Sequence, residues 1–324
     1  MGQKQERRRR LLVTAAALLA VPVAPWAQRA TKPHRIGLLT IESAHPIQQG
    51  LRQLGYVEGR DVVYEIRTTR GSSDRLDELT RDLVRLEVDV IIAPNPNAVF
   101  SAKRATSTIP IVMMHTPDPV KLGLVASLAK PGGNITGVTT LSADMSIKQL
   151  ELLKEAIPGI RRVALLVNPS NPWHPIATAG LIAWSQSRGL QVRVLKVRRP
   201  DEFGGAFQAM KAERAQGVLV LADPLTYANR RELAELAMKY RLPMIGSLRE
   251  YAQAGCLMSY WADGTDVVRS ALRYVDRILK GARPDSLPIE QPTKFEFVIN
   301  LKTAGALGLA IPQVLLLRAD QVID

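Results

Sequence analysis

The chain has 324 residues, one cysteine and a formal net charge of +13 at neutral pH. One cysteine excludes a disulfide within the chain, and a chain of this length exceeds what a single hydrophobic core usually holds. The first 30 residues contain six basic residues and one acidic residue, so about +8 remains on the rest, where acids and bases are interleaved. This scattered charge, without an aromatic-interleaved basic patch or a helix-turn-helix pattern, argues against a nucleic-acid partner.

A targeting signal is predicted at the start of the chain. Four consecutive arginines, Arg7–Arg10, precede an apolar run of thirteen residues from Leu11 to Val23, and small residues follow up to Ala27. Crossing a bilayer takes roughly 20 apolar residues, so this order of basic, apolar and small residues predicts an export signal peptide instead of a membrane span. We expect cleavage near Ala27 and a soluble periplasmic chain, exported by either the general secretory or the twin-arginine route.

Short β-rich runs alternate with helical segments after this signal, which is the pattern of parallel sheets covered by helices. In the first half, strands are predicted at residues 35–40, 61–68, 88–93, 109–114 and 135–139, and helices at 45–54, 73–87, 97–106 and 119–129. The second of these helices has leucines at positions 76, 79, 83 and 86. Such spacing places an apolar stripe against a sheet.

The same alternation restarts near residue 141. Strands are predicted at residues 162–167, 191–197, 217–222 and 243–247, and helices at 175–188, 201–214 and 228–240. A further strand, helix and strand are predicted at 257–261, 267–280 and 295–300. The chain is therefore of the α/β class with two lobes. We expect residues 34–140 and about 255–324 in the first lobe and residues 141–254 in the second, with crossing segments near 139–143, 246–254 and 280–288.

Two groups of short motifs carry a resemblance to a known family. The first group is Asp118-Pro119-Val120, Gly123-Leu124-Val125, Leu128-Ala129, Pro131-Gly132-Gly133-Asn134 and Thr136-Gly137-Val138. The second group is Ile278-Leu279-Lys280-Gly281, Pro284, Leu287-Pro288, Phe295, Asn300-Leu301-Lys302-Thr303-Ala304, Leu307-Gly308 and Ile311-Pro312. With these motifs, residues 34–324 resemble the ABC-transporter substrate-binding proteins related to the tryptophan- and tyrosine-binding type.

The resemblance implies a type I periplasmic-binding-protein fold, in which two Rossmann-like lobes with parallel sheets are joined by a hinge and enclose a small ligand. It also implies delivery of that ligand, such as an aromatic or other amino acid, to an inner-membrane ABC permease. The chain lacks a Gly-x-x-x-x-Gly-Lys-[Ser/Thr] loop, so a separate ATPase would hydrolyse the nucleotide. We expect no cofactor and a monomeric chain.

Candidate ligand-binding residues follow the predicted strands, because binding groups gather at the carboxyl ends of parallel strands and at nearby helix N-termini. The candidates are Thr40, Ser43, Asn97, Thr116, Asp118 and Thr140 in the first lobe and Asn168, Asn171, Asp223 and Ser247 in the second. These residue types hydrogen-bond small polar ligands, but they also cap helices, and either role is open for a single residue. Asp118 and Asp223 directly follow apolar strands and could each pair with a ligand ammonium.

Histidines and aromatic residues near the strand ends leave further alternatives. His45, His115 and His174 each follow a predicted strand, but their scattered spacing contains no short metal motif, so no metal is expected. An aromatic residue at these positions either sandwiches an apolar or aromatic ligand or packs in the core, which is the commoner role. The aromatic residues concerned are Trp173, Tyr227, Tyr251, Tyr260 and Trp261.

An enzyme and a sensor are the alternative functions. A racemase with two catalytic cysteines cannot operate with Cys256 alone, and the chain contains no Gly-x-Ser-x-Gly nucleophile motif. The glycine-rich run Gly132–Gly137 precedes a strand instead of opening a helix, so it is not a dinucleotide fingerprint. We therefore do not expect an enzyme. A soluble sensor that presents its ligand-bound state to a membrane receptor would use the same fold, and the sequence leaves this alternative open.

Overall fold

The computed structural model describes residues 32–140 and 142–324 of the chain. The expected signal peptide, residues 1–27, lies outside these ranges. Within them, no helix combines the length and the apolar character that a membrane span requires.

Five parallel strands form the first sheet, and their side-by-side order is β2-β1-β3-β4-β5. They are β1 His34–Thr40, β2 Val62–Thr68, β3 Val90–Ala93, β4 Ile111–Pro117 and β5 Ile135–Thr140. The first four strands are connected by α1 His45–Gln53, α2 Leu76–Arg85 and α3 Pro96–Ala105. Every residue of β3 is buried, as expected for a central parallel strand with both faces covered.

The leucine stripe of α2 packs on the sheet as predicted. Leu76 and Leu83 are buried, and Leu79 and Leu86 are partly buried, in one core cluster that also contains Ile91 of β3. The leucines whose spacing predicted an apolar stripe therefore form the face of α2 that packs on the first sheet.

The expected helix over residues 119–129 is wrong, because this segment forms turns and bends after β4. One helix-like turn begins at Asp118, whose carbonyl accepts a hydrogen bond from the Leu122 N–H at 3.0 Å. Gly123 then adopts a left-handed φ of +68°, a conformation that stops a helix. Leu124 is buried in the sheet core, so the segment packs as an irregular loop.

Seven strands form the second sheet, in the order β12-β11-β10-β9-β8-β6-β7. They are β6 Arg162–Val167, β7 Gln191–Lys196, β8 Gly217–Val220, β9 Met244–Gly246, β10 Met258–Ala262, β11 Phe295–Asn300 and β12 Gln321–Ile323. Strands β6 to β10 are parallel and repeat the order of β1 to β5, while β11 is antiparallel to β10. This repeat confirms the predicted α/β class with two sheets.

Helices cover both faces of the second sheet. They are α4 Ser142–Ala156, α5 His174–Gln186, α6 Phe203–Ala212, α7 Pro224–Ala228, α8 Arg230–Lys239 and α9 Arg249–Gln253. The tail adds α10 Gly264–Leu279, α11 Leu301–Leu307 and α12 Gln313–Leu316. One core cluster joins α4 and α5 to the sheet, and another joins α6 and α8 to its opposite face.

The tail differs from the expectation that residues 255–324 complete the first lobe. Its strands β10, β11 and β12 extend the second sheet, whereas α10 packs against α1, β4 and β5 of the first. Only the short α9 separates β10 from β9, and strands that are close in sequence usually pair. We name the first sheet with α1, α2, α3 and α10 the first lobe, and the second sheet with the other helices the second lobe.

The chain passes between the lobes after β5, between β10 and α10, and before β11. The first passage agrees with the expected crossing near residues 139–143. Residues 246–254 instead stay in the second lobe, and residues 280–288 stay in the first, where the Thr136 hydroxyl donates to the Leu287 carbonyl at 2.8 Å. The second and third passages are hydrogen-bonded to each other, since the Asp263 N–H donates to the Lys294 carbonyl at 3.0 Å.

Candidate functional site

The carboxyl ends of the two sheets face each other where the lobes meet. Residues near the carboxyl ends of β3 and β4 in the first lobe and of β6 and β8 in the second line one cavity of about 20 Å³. Its walls include Pro96 and His115 from the first lobe and Asn171, Trp173 and Ala222 from the second. Ligands of parallel α/β sheets bind at the carboxyl ends of the strands. In this protein, strand ends from both lobes line the same cavity.

A larger cleft of about 640 Å³ opens beside this cavity. It lies between α1 and α10 on the first-lobe side and Tyr227 and residues 248–250 on the second-lobe side. His115 lines both the cleft and the small cavity, so its side chain stands at the boundary between them. Ligand pockets usually have volumes of roughly 300–1,000 Å³, and the cleft is of that size.

Asp223 is the centre of a buried polar cluster at the second-lobe side, with 5% of its surface exposed. Its Oδ1 accepts hydrogen bonds from the Leu225 backbone N–H and from Asn168 Nδ2, both at 2.9 Å. Its Oδ2 accepts one from Asn171 Nδ2 at 2.9 Å. The residue therefore caps α7 and also binds both asparagines. A carboxylate has about four lone-pair sites, so the three bonds leave capacity for one more donor.

The two asparagines are held in place by their own loop. Asn168 Oδ1 accepts from the Ser170 N–H at 2.9 Å, and Asn171 Oδ1 accepts from the Trp173 N–H at 3.0 Å. With each amide oxygen bound to the backbone, each Nδ2 group is directed to the Asp223 carboxylate. The loop after β6 and the loop after β8 are thus joined by a fixed set of hydrogen bonds.

His174, at the start of α5, joins the same two loops as a neutral ring. Its Nδ1 accepts from the Asn168 N–H at 2.9 Å, so Nε2 carries the proton and donates to the Ala222 carbonyl at 3.2 Å. Burial lowers the pKa of His174, although the Asp223 carboxylate acts in the opposite direction. Both ring nitrogens are occupied, so this histidine acts as a structural link.

His115 lies at an irregularity in β4. Its φ is +40°, and the pairing of β4 with β5 changes register between Met113 and Thr116. A left-handed backbone is strained for a residue that has a Cβ atom. Burial lowers the pKa of His115 to about 4, so the imidazole is neutral at neutral pH. Its Nδ1 atom is buried and has no hydrogen-bond partner within residues 32–140 and 142–324.

The histidines and the cysteine lie in different environments. His45 is exposed at the start of α1, whereas His115 is half-buried and His174 is buried. Cys256 is 1% exposed, and burial raises the pKa of its thiol. In the part of the chain that the structure describes, no cluster of three or more His, Cys, Asp or Glu residues could hold a metal ion.

All five candidate aromatic residues pack in or against a core cluster, and three of them also line the cavity or the cleft. Trp173 and Trp261 line the 20 Å³ cavity and are 6% and 4% exposed. The Nε1 atom of Trp173 is buried and has no hydrogen-bond partner among the described residues. Tyr227 lines the larger cleft, while Tyr251 and Tyr260 pack in the core clusters. Core packing therefore accounts for all five residues, and contact of Trp173, Tyr227 or Trp261 with a ligand stays a prediction.

The threonine candidates at the first-lobe strand ends are buried. Thr116 Oγ1 donates to the Met114 carbonyl at 3.0 Å, and Thr40 Oγ1 lies 3.1 Å from Thr68 Oγ1. Thr140 is buried at the end of β5. The hydroxyl groups of Thr40 and Thr116 are therefore hydrogen-bonded within the first sheet.

Two first-lobe candidates are exposed and serve as caps of local turns. Ser43 Oγ accepts from the His45 N–H at 3.1 Å, and Asp118 Oδ1 accepts from the Lys121 N–H at 2.9 Å. In the second lobe, Ser247 is buried directly after β9. Capping was the alternative role for such residues, and it accounts for the geometry of both exposed ones.

Asn97 lies at a second contact between the lobes. Its Nδ2 donates to Ser73 Oγ at 3.0 Å. Together with Thr40, these residues line a cavity of about 10 Å³ that is also lined by Pro224 of the second lobe. The first-lobe candidates Thr40 and Asn97 therefore lie at the same cavity as Pro224, the residue that follows Asp223.

An ion pair that no sequence pattern indicates also joins the lobes. Arg230 of α8 donates from Nη1 to Glu42 Oε1 at 2.7 Å and from Nη2 to Glu42 Oε2 at 3.2 Å. The same guanidinium lies 4.5 Å from the centre of the Tyr227 ring, which lines the cleft. The partners are 188 positions apart in the chain, so no local pattern predicts their contact.

If the lobes enclose a ligand, as the family resemblance implies, removing this ion pair is expected to shorten the time for which the ligand stays bound. Glu42→Gln loses the charge pairing between the lobes, and a surface ion pair is worth roughly 0.2–1 kcal/mol, so we expect dissociation to be faster by at most about fivefold. Glu155→Gln is the matched control, because Glu155 pairs with Arg318 inside the second lobe and its side chain is 38% exposed, close to the 42% of Glu42. Stopped-flow dissociation measures both. Equal rates for the two variants would contradict a contribution of the Glu42–Arg230 pair to closure.

Comparison with known sequences relates the chain to one family. The sequence profile described as "ABC transporter substrate binding protein" matches residues 40–323. A tyrosine-binding protein of Clostridioides difficile is 25% identical over 262 residues, which are 81% of this chain and 75% of that protein.

Two solved structures share the two-lobed architecture. An ABC domain of Streptococcus pneumoniae in complex with L-tryptophan superposes with a TM-score of 0.83 at 25% identity, over 90% of this chain and 100% of that one. A conserved domain protein of Vibrio cholerae has the same TM-score, identity and coverage. These similarities confirm the predicted fold, two α/β lobes of the periplasmic-binding-protein kind.

Proposed function

This chain belongs to the ABC transporter substrate-binding protein family, and on that premise we propose that it is a periplasmic solute-binding protein. It encloses a small organic ligand between its lobes and delivers the ligand to an inner-membrane ABC permease. A cleavable signal peptide ending near Ala27 would direct it to the periplasm. The sequence has no P-loop motif, so the energy for transport would come from a separate ATPase.

One observation carries the proposal, namely that polar groups at the carboxyl ends of both sheets meet between the lobes. A site built from two lobes releases its ligand when the lobes separate and surrounds it when they approach. Asp223 supplies a buried carboxylate on one side, and His115 borders the 640 Å³ cleft on the other. This arrangement suits reversible enclosure of a ligand.

The proposed ligand is an aromatic or other small amino acid. The similar protein from Clostridioides difficile is a tyrosine-binding protein, and the similar structure from Streptococcus pneumoniae contains L-tryptophan. In this chain, the Asp223 carboxylate would bind the ligand ammonium. The cleft walls include Leu248, Val268 and Leu272, which would contact an apolar or aromatic side chain.

Ligand binding is expected to compact the protein. Purified protein is unfolded, dialysed and refolded to remove bound solute, and the solute is identified by native mass spectrometry of the untreated sample. Small-angle scattering should then show a smaller radius of gyration with that solute, L-tryptophan or L-tyrosine, and no change with glucose. The same data give the mass, for which we expect a monomer. Unchanged dimensions at saturation would contradict enclosure between moving lobes.

Uptake measurements separate transport from sensing. Cells that lack this chain should lose uptake of the labelled ligand, because the permease receives it from the binding protein. Normal uptake combined with a lost cellular response to the ligand would indicate a sensor instead.

A further inference from the structure

Two residues that line one cavity each have a buried ring nitrogen without a hydrogen-bond partner among the described residues, and neither nitrogen belongs to the Asp223 cluster. Trp173 Nε1 comes from the second lobe and His115 Nδ1 from the first, and both residues line the 20 Å³ cavity. An indole N–H can only donate a hydrogen bond. A buried donor that remains unpaired costs free energy, so such groups in native proteins require an explanation.

The position of each ring is fixed by the fold. Trp173 is the N-cap residue of α5, and its backbone N–H donates to Asn171 Oδ1 at 3.0 Å. His115 has its strained φ of +40° within the irregular part of β4. Strain of this kind persists only where surrounding structure imposes it, and it concentrates at binding sites. Since the His115 ring is neutral, its Nδ1 can carry a proton and donate.

The cavity and the polar cluster next to it are together complementary to two charges of opposite sign. Trp173 and His115 line the cavity and carry ring nitrogens that can donate. Asp223 does not line it, but it binds the lining residue Asn171 and has one remaining acceptor site. The cavity volume of about 20 Å³ holds one small group, such as a carboxylate oxygen. His115 also borders the 640 Å³ cleft, which has room for the rest of the ligand.

We propose that Trp173 Nε1 and His115 Nδ1 together bind a carboxylate oxygen of the ligand. This inference rests on the proposed function and makes it more specific, since it requires an amino acid whose carboxylate is bound by two neutral donors. An amine without a carboxylate would leave both ring nitrogens unpaired. Selection of amino acids over the corresponding amines would therefore originate in these two side chains.

The test uses two pairs of probes, L-tryptophan with tryptamine and L-tyrosine with tyramine, and the members of each pair differ in the carboxylate alone. Trp173→Phe removes the N–H and keeps an aromatic ring. A hydrogen bond to a charged group corresponds to about a 10- to 100-fold change in affinity, and we expect that loss for the amino acid and less than about threefold for its amine. Trp184→Phe is the matched control, because Trp184 lies further along α5, packs on the core and carries Arg188 over its ring.

Titration calorimetry on variants with wild-type circular dichroism distinguishes the outcomes. Equal losses for an amino acid and its amine, or unchanged affinity for both, would overturn the inference, as would a wild-type chain that binds none of the four probes. A copurified solute without a carboxyl group would also overturn it, but the proposed solute-binding function would stand. A chain that neither carries a solute nor changes its dimensions would instead contradict the proposed function itself.

Discussion

Gly137→Ala is expected to destabilise the folded protein by about 3 kcal/mol or more. Gly137 lies in β5 with a φ of +125°, and a Cβ atom there would approach the Met113 carbonyl oxygen to 2.3 Å and its nitrogen to 2.8 Å. These are backbone atoms of β4 and cannot rotate away. Strained backbone and overpacking each cost about 1–3 kcal/mol, and here both occur at one site.

Denaturant unfolding checks this expectation, with Gly133→Ala as the control. Gly133 lies in the loop before β5, and an added Cβ there would meet no atom within 4 Å. Its substitution should change the free energy of unfolding by less than about 1 kcal/mol. A Gly137→Ala midpoint equal to that of the control would show that β5 can shift without cost. The close contact with the Met113 backbone gives a physical reason for a glycine in the motif Thr136-Gly137-Val138.

The parallel strands could be predicted from the sequence because buried parallel strands are continuous apolar runs. The parallel strand at 162–167 agrees with its predicted bounds, as does the strand at 295–300, which is antiparallel to β10, and most others differ by only a few residues. The leucine stripe of α2 was readable for the same reason, since burial of one face imposes a period on the sequence. Local burial patterns therefore carried most of the secondary structure.

Elements that depend on distant contacts could not be predicted. Residues 119–129 have helix-like composition, but Gly123 and the burial of Leu124 determine an irregular path. The strands of the tail join the second sheet while α10 packs on the first, and no periodicity specifies which sheet an apolar run will join. The sheet that each element joins determines where the chain crosses between the lobes. The expected crossings near 246–254 and 280–288 therefore do not lie at the observed passages.

The expectation that binding groups follow the carboxyl ends of parallel strands identified residues that lie together in the structure. It did not predict the hydrogen bonds among them. Asn168, Asn171 and Asp223 were selected independently, and the structure brings them into one cluster. The positions of His115 and Trp173 at the shared cavity depend on a backbone irregularity and on the contact between the lobes. Neither feature has a signature in a single sequence. Whether these residues bind ligand stays a prediction.

Replacing Asp223 is expected to weaken both folding and binding. Asp223→Ala leaves the Leu225 N–H and the amides of Asn168 and Asn171 without their acceptor, and we expect a loss of about 3 kcal/mol or more in unfolding free energy. Asp223→Asn keeps the cap but removes the charge that would attract a ligand ammonium. Asn171 cannot turn to accommodate the new amide without losing its bond from the Trp173 N–H. Some destabilisation is therefore expected from this variant as well.

Ligand analogues separate the binding role of Asp223 from its structural role. In calorimetric titrations of folded Asp223→Asn, L-tryptophan should bind more weakly by about 1.5–3 kcal/mol, the range for a hydrogen bond to a charged group. For indole-3-propionic acid, which has no ammonium group to pair with Asp223, the affinity of Asp223→Asn should be less than about threefold below that of the wild type. Asp118→Asn is the matched control, since Asp118 is exposed and caps a turn of the first lobe. If Asp223→Asn weakened both compounds equally, the carboxylate would act by holding the two asparagine loops in place, and the ammonium would have to be bound by another group.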